Sequence, residues 1–187
     1  MYRIIGCFLI QKICNSFAPV RPQVVERHLP SRSVFMSAIV REAFHTDVQA
    51  AKACVLAAFE LYVERIGKPP APMLLDFSSE IEKKHVWLAD TNGKVVGVLV
   101  QYETENGFYI DTVAVDPLYQ GTGVGKELLQ FAEQVALRHG YDSIYLCTNV
   151  KMTENQVFYP RIGYVEYDRK LDEGYDRIFY RKTLRNT

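Results

Sequence analysis

Three glycines in five residues interrupt the stretch Val113-Ala114-Val115-Asp116-Pro117-Leu118-Tyr119-Gln120-Gly121-Thr122-Gly123-Val124-Gly125-Lys126. An apolar run precedes them and a helical pattern follows. Glycine lets successive backbone N–H groups converge on an anion, and the start of a helix adds the positive end of its dipole. The chemistry implied is a phosphate or pyrophosphate cradle built from the backbone of residues 120–126. A turn of this kind with no ligand is disfavoured, because so many glycines cost stability without a return.

Nucleotide motifs that share this logic fail on spacing. A Walker loop needs Gly where Gln120 stands and Ser or Thr where Glu127 stands. A dinucleotide fingerprint needs its third Gly at Lys126, and three antiparallel-type strands precede this loop where a βαβ unit belongs. A kinase glycine loop would open a much longer chain. Metal ligation is not expected either. Cys7, Cys14, Cys54 and Cys147 show no Cys-x-x-Cys pairing, and His28, His45, His85 and His139 are scattered. Unpatterned thiols fit a reducing compartment, so a cytoplasmic location is expected. Cys54 and Cys147 read as small buried hydrophobes.

The elements that position the loop can be read from periodicity. Residues 39–44 alternate as a first strand. Thr46 and Gln49 form a capping box for a helix with Val48, Ala51, Val55, Ala58 or Phe59, Tyr62 and Ile66 on one stripe. Gly67 and the prolines at 69, 70 and 72 end it, and a shorter helix is expected over about residues 73–84. The period then becomes two. Residues 86–89, 95–101 and 108–115 read as strands, joined by turns at 90–93 and 105–107. A helix over about residues 123–139 follows, with Leu128, Ala132, Val135 and Ala136 on one face and Gly140 at its end. Residues 143–148 form a strand and 153–162 a helix. Residues 164–170 and 177–184 pair around Asp172-Glu173-Gly174. The order is βααβββαβαββ, a mixed α/β (α+β) domain.

The loop and this order resemble the GNAT acyltransferase superfamily. Its signature, (Gln/Arg)-x-x-Gly-x-(Gly/Ala), is matched by Gln120, Gly123 and Gly125 after a strand of the type found at residues 113–117. A second family segment is matched by Asn155, Tyr159, Gly163 and Tyr164. The resemblance covers about residues 38–184 and implies an acyl-CoA N-acyltransferase fold.

What it implies for function is acetyl-CoA-dependent N-acetylation of a primary amine by direct attack. The amides of Gln120, Gly121, Thr122, Gly123, Val124, Gly125 and Lys126 would hold the CoA pyrophosphate. The strand carrying Val113 and Val115 would pair with the pantetheine arm like an added strand. A backbone N–H near Val115 would polarise the acyl carbonyl. A lysine-like amine, pKa ~10.4, costs about 4–5 kcal/mol to neutralise at pH 7, and an α-amine near 7.7 only about 1. A general base therefore matters most for the first kind. Asp111 is the candidate, placed by strict alternation on the face of Val113 and Val115; its bland reading is a solvated strand carboxylate or a site for the acceptor cation. Glu103 and Glu105 are weaker choices beside a turn. Tyr159 takes the general-acid position toward the CoA thiolate, against a reading as plain helix packing. Asn155 would bond the pantetheine or the fifth-strand backbone. The acceptor pocket is expected between residues 68–73 and 172–176, where Asp172, Glu173 and Asp176 either attract a cationic amine or serve as turn residues. The acceptor is a small molecule or a protein amine, and a homodimer is allowed for. A non-catalytic acyl-CoA sensor with the same loop is the competing class.

Composition bounds these readings. The chain has 187 residues, 48% hydrophobic and 24% charged, and a formal net charge of zero. It holds no apolar stretch long enough for a membrane span, and the zero lacks the electrostatic footprint of a nucleic-acid binder. That zero is uneven. Arg3, Lys12, Arg21, Arg27 and Arg32 against Glu26 give residues 1–35 a net +4, which leaves −4 for residues 36–187. The first segment also holds Pro19, Pro22 and Pro30. It is expected to be a disordered extension or to precede a true start at Met36, with residues 36–187 forming the catalytic domain.

Overall fold

A computed structural model describes residues 38–184 of the chain. The expectations for residues 1–35, including Cys7, Cys14 and His28, lie outside the described residues. The elements run β1 (Ile39–Glu42), α1 (Val48–Ile66), α2 (Phe77–Glu82), β2 (Val86–Thr91), β3 (Lys94–Thr104), β4 (Gly107–Val115), α3 (Val124–Arg138), β5 (Ser143–Asn149), α4 (Thr153–Arg161), β6 (Val165–Asp172) and β7 (Tyr175–Thr183). This is the order βααβββαβαββ. The seven strands form one sheet in the order β1-β2-β3-β4-β5-β7-β6. Every neighbouring pair is antiparallel except β4 and β5.

Two apolar layers hold the sheet. On one face α1 buries Ala51, Cys54, Val55 and Ala58 with Phe77 and Ile81 of α2, against Leu88, Val98, Val100 and Ala114. On the other, α3 buries Leu128, Leu129, Ala132, Val135 and Ala136 against Leu99, Phe108, Ile110 and Ile144, and α4 adds Tyr159. Leu128 has no exposed surface, and burying a leucine contributes about 1.5–3 kcal/mol. Gly97 sets how closely α3 sits. A Cβ there would lie 2.9 Å from Leu128 Cδ1 and 3.0 Å from Val124 Cγ1, so the start of α3 rests directly on the strand backbone.

Two helix starts differ from the sequence pattern. Thr46 lies in a 3-10 turn over His45–Asp47, and α1 begins at Val48. Asp47 Oδ2 accepts from the Phe44 N–H at 2.8 Å while Arg41 grips the same carboxylate at 2.7 and 3.0 Å. Arg41 also reaches Asp90 on β2 at 3.2 Å, so a contact across the sheet overrides the local Thr46 and Gln49 signal. The second helix starts at Phe77 rather than near residue 73. Asp76 caps it by accepting from the N–H groups of Ser78 and Ser79, and the prolines before it hold only a 3-10 turn over Ala71–Leu74.

Candidate functional site

The glycine loop takes the form that an anion cradle needs. Gly121 and Gly123 have φ of +76° and +107°, the left-handed region that glycine enters without a Cβ penalty. Nothing lies within 4 Å of where a Cβ would stand on either one, so the space in front of the loop is open. Gly123 is the N-cap of α3, and no side chain caps it. The first intrahelical bond runs from the Glu127 N–H to the Gly123 carbonyl. The N–H groups of Gly123, Val124, Gly125 and Lys126 are therefore the four that a helix start leaves without internal partners. The Thr122 hydroxyl is turned back onto the Tyr119 carbonyl at 2.6 Å, and Gln120 Nε2 donates to the Val115 carbonyl at 3.2 Å.

Beside the loop the sheet opens. β4 and β5 pair only over residues 108–110 and 144–146, and then diverge. The Asp116 N–H bonds the Val96 carbonyl. In an antiparallel ladder alternate residues turn both backbone groups toward the partner, so Val113 and Val115 turn theirs away from β3 and into the gap. The Gln120 bond to the Val115 carbonyl fits that direction.

A cavity of about 290 Å³ fills the gap. Residues 110–113 and 146–149 form its walls, with Asn155, Tyr159, Tyr102, Tyr109 and Arg177 around it and Pro70, Ala71, Pro72, Glu173 and Tyr175 at its rim. Thus Asp111, Val113, Asn155 and Tyr159 meet in one cavity, although they come from two separate elements. Val115 and residues 120–126 lie at the neighbouring loop and do not line it.

Asp111 sits on a bulge. Val100 faces Thr112 while Gln101 faces Ile110, so Asp111 is the extra residue on β4. The bulge corrects the alternation argument. Phe108 and Ile110 belong to the layer under α3, and Val113 and Val115 pack against the same layer. The step from 110 to 113 is odd, so Asp111 does not share the face of Val113 and Val115. It is re-aimed toward Tyr102, whose hydroxyl donates to Oδ1 at 3.4 Å, while the Thr112 hydroxyl donates to Oδ2 at 2.9 Å. Burial pushes the Asp111 carboxyl above the ordinary carboxylate range, and these two donors with the Arg177 guanidinium pull part of that back. A half-buried carboxylate with a raised pKa is suited to taking a proton.

Tyr159 is 9% exposed, stacks near Tyr164 and Tyr180, and has its pKa raised, first by burial. Its phenol therefore stays protonated and able to donate. Asn155 Nδ2 donates to the Thr148 hydroxyl at 2.8 Å, a side chain of β5 rather than its backbone. Glu103 and Glu105 are exposed and line no part of the cavity. Glu103 holds His139 at 2.7 Å instead.

Several cavity residues carried no signal in the sequence. Cys147, expected as a small buried hydrophobe, is only partly buried: it lines the cavity with its sulfur 3.1 Å from the Tyr109 hydroxyl, and its partial burial raises its pKa. Tyr102 packs on His85 and Tyr109, with ring centroids 4.9 and 5.6 Å apart. At the rim the two loops expected to frame the acceptor touch. The Tyr175 hydroxyl donates to the Pro69 carbonyl at 2.7 Å, and Lys68 Nζ donates to the Gly174 carbonyl at 2.7 Å. Lys68 also lies 3.7 Å from the Tyr175 ring centroid. Asp172 and Glu173 are held by Arg177, at 2.6 and 2.9 Å.

Known proteins resemble this chain in sequence and in fold. Residues 51–164 match the model of the Acetyltransferase (GNAT) family. The chain is similar to an aminoalkylphosphonate N-acetyltransferase of Salmonella typhimurium, 32% identical over 125 residues, which is 64% of this chain and 78% of that protein. Among solved structures it resembles the PaiA N-acetyltransferase of Thermoplasma acidophilum in complex with coenzyme A. The TM-score is 0.66 at 16% identity, over 79% of this chain and 99% of that one. It also resembles an acetyltransferase of the GNAT family from Staphylococcus aureus, with a TM-score of 0.63 at 21% identity over 80% of this chain and all (100%) of that one. No helix among the described residues is long and apolar enough to cross a membrane.

Proposed function

The chain belongs to the acetyltransferase (GNAT) family and is an N-acetyltransferase; from that premise we propose that it moves the acetyl group of acetyl-CoA directly onto a primary amine held in the β4–β5 cavity. The observation that carries this reading is continuity. The free N–H groups at the start of α3, the backbone edge of Val113 and Val115, and the cavity of Asp111 and Tyr159 follow one another along a single opening in the sheet.

In this reading the amides of residues 120–126 hold the pyrophosphate, and Val113 and Val115 pair with the pantetheine arm. The backbone N–H at Val115 polarises the thioester carbonyl. Asp111 takes one proton from the acceptor ammonium, and the freed nitrogen attacks the carbonyl carbon. The C–N bond forms and the C–S bond breaks. Tyr159 gives its proton to the departing sulfur, whose thiol has a pKa near ~8.5, and recovers one from the nitrogen of the collapsing intermediate. That second transfer matters, because burial raises the phenol pKa and a net loss of its proton to so weak a base would be uphill. Asn155 holds Thr148 and so fixes the β5 wall.

The catalytic domain is assigned to residues 36–187. The unpaired thiols of Cys54 and Cys147 support a reducing compartment such as the cytoplasm. The curated relative acts on an aminoalkylphosphonate by its name, which supports a small-molecule amine as the acceptor.

Thermal unfolding with acetyl-CoA, ATP and NAD, followed by thiol release across a panel of amines, tests the reading. Acetyl-CoA at a hundred times its Kd stabilises by about 2.7 kcal/mol, ATP and NAD do not, and thiol appears only when an amine is present. Stabilisation by acetyl-CoA with no thiol release from any amine identifies an acyl-CoA sensor instead.

A further inference from the structure

We propose that Arg177 forms an anion subsite in the acceptor cavity, so that the acceptor is an amine that also carries a carboxylate or phosphonate; this rests on the acetyltransferase reading above. Arg177 stands on β7 beside Asn149 of β5, beyond the point where β5 parts from β4. Its side chain is only 12% exposed and lines the cavity. Asp111 lines the same cavity, near enough for the guanidinium to pull its pKa downward. The cavity thus offers a carboxylate for an ammonium group and a guanidinium for an oxyanion. Two such anchors fix where the nitrogen stands, as direct attack requires.

The acids at the hairpin do not make this a site for a second cation. Asp172 and Glu173, which the sequence leaves open as attractors of a cationic amine or as turn residues, both accept from Arg177. Their side chains are 35% and 75% exposed, so the carboxylates face water while the guanidinium faces inward. Only two of the five guanidinium N–H groups are engaged by these bonds. Glu173 is the displaceable partner. It sits at φ +49°, a region unfavourable for a residue with a Cβ, and its carboxylate lies where an incoming oxyanion would dock in fork geometry. Lys68 adds a second positive charge at the rim, on the Tyr175 ring, and makes no ion pair among the described residues.

The test measures kcat/KM for aminoethylphosphonate, β-alanine, propylamine and putrescine. Wild type prefers the first two over propylamine and putrescine by about tenfold or more, the scale of a charge-assisted hydrogen bond. The better of the two shows which oxyanion fits. In Arg177→Gln the ratio of aminoethylphosphonate to propylamine falls about tenfold or more, and Arg177→Lys restores part of it. Glu173→Gln frees the guanidinium and raises the ratio, which keeps the proposal open to refutation if Arg177→Gln does not fold. Preference for putrescine, or a ratio unchanged in Arg177→Gln and Glu173→Gln while turnover persists, overturns the subsite and leaves the acetyltransferase reading standing. No thiol release from any amine overturns both.

Discussion

From Gln120 to Lys126 the protein offers backbone, and across the sheet opening it offers side chains. The loop is seven consecutive residues whose useful groups are N–H donors freed by the start of α3. The cavity draws Tyr102, Asp111, Cys147, Tyr159 and Arg177 from β3, β4, β5, α4 and β7. The first is a conformation, secured by two positive-φ glycines and by the close seat of α3 on Gly97. The second is a set of long-range meetings, such as Lys68 with Gly174 and Tyr175 with Pro69. A backbone site should tolerate most side-chain changes and fail where φ demands glycine. A side-chain site should fail at single groups.

The largest expected effect is therefore in the cavity. Asp111→Asn lowers kcat for a lysine-like amine by about 10²–10³ and leaves the acetyl-CoA KM unchanged, as initial rates with both substrates varied will show. The same change raises stability. The folded state lifts the Asp111 pKa by burial, so it binds the proton more tightly than the unfolded chain does. That advantage is complete below the unfolded pKa and is lost as pH rises through the folded one. Thermal unfolding should find Asp111→Asn more stable than wild type at neutral pH, with the gap closing in acid.

Tyr159→Phe comes next, lowering kcat by about tenfold to a hundredfold with acetyl-CoA affinity retained by calorimetry. Equal turnover would remove Tyr159 from the proton path. In the loop, Gly123→Ala forces a Cβ onto a φ of +107°, a cost of about 1–2 kcal/mol, and should raise the acetyl-CoA KM about tenfold without touching the acceptor KM. Gly125→Ala is the internal control. It is helical, and its Cβ would meet only Val115 Cγ2 at 3.4 Å, so about a twofold change is expected. The smallest effect is electrostatic. Tyr102→Phe removes a donor to the charged form of Asp111, and the acid limb of kcat/KM should move to higher pH. A downward shift would contradict that bond.

The same contrast explains what could be read in advance. The loop, the strand before it and the apolar face of α3 are local patterns. Leu128, Ala132, Val135 and Ala136 are all buried where the 3.6-residue period put them. Asp111 and Tyr159 could be named from one strand and one motif. Alternation alone nonetheless puts Asp111 on the wrong face, because a bulge set by pairing with β3 leaves no mark on the sequence. Arg177 reads in the sequence only as the start of a strand, since its meeting with Asp172 and Glu173 depends on the hairpin register. Tyr102 falls just past the strand that alternation marks at 95–101, and Cys147 reads as a small buried hydrophobe; both line the cavity only because β4 and β5 diverge. Thr46 is not the cap for a related reason: Arg41, bonded at the same time to Asp90 on β2, holds Asp47 from outside the helix.

The pH dependence of kcat/KM for an alkylamine, with wild type and Asp111→Asn side by side, tests the central claim most directly. With Asp111 as base the reactive state is the bound ammonium beside the carboxylate. The wild-type profile should then be flat between the Asp111 pKa and that of the amine, near ~10.4. Without the carboxylate only the free amine reacts, and the Asp111→Asn profile should climb tenfold per pH unit across the same range. Two profiles of the same shape would contradict the account.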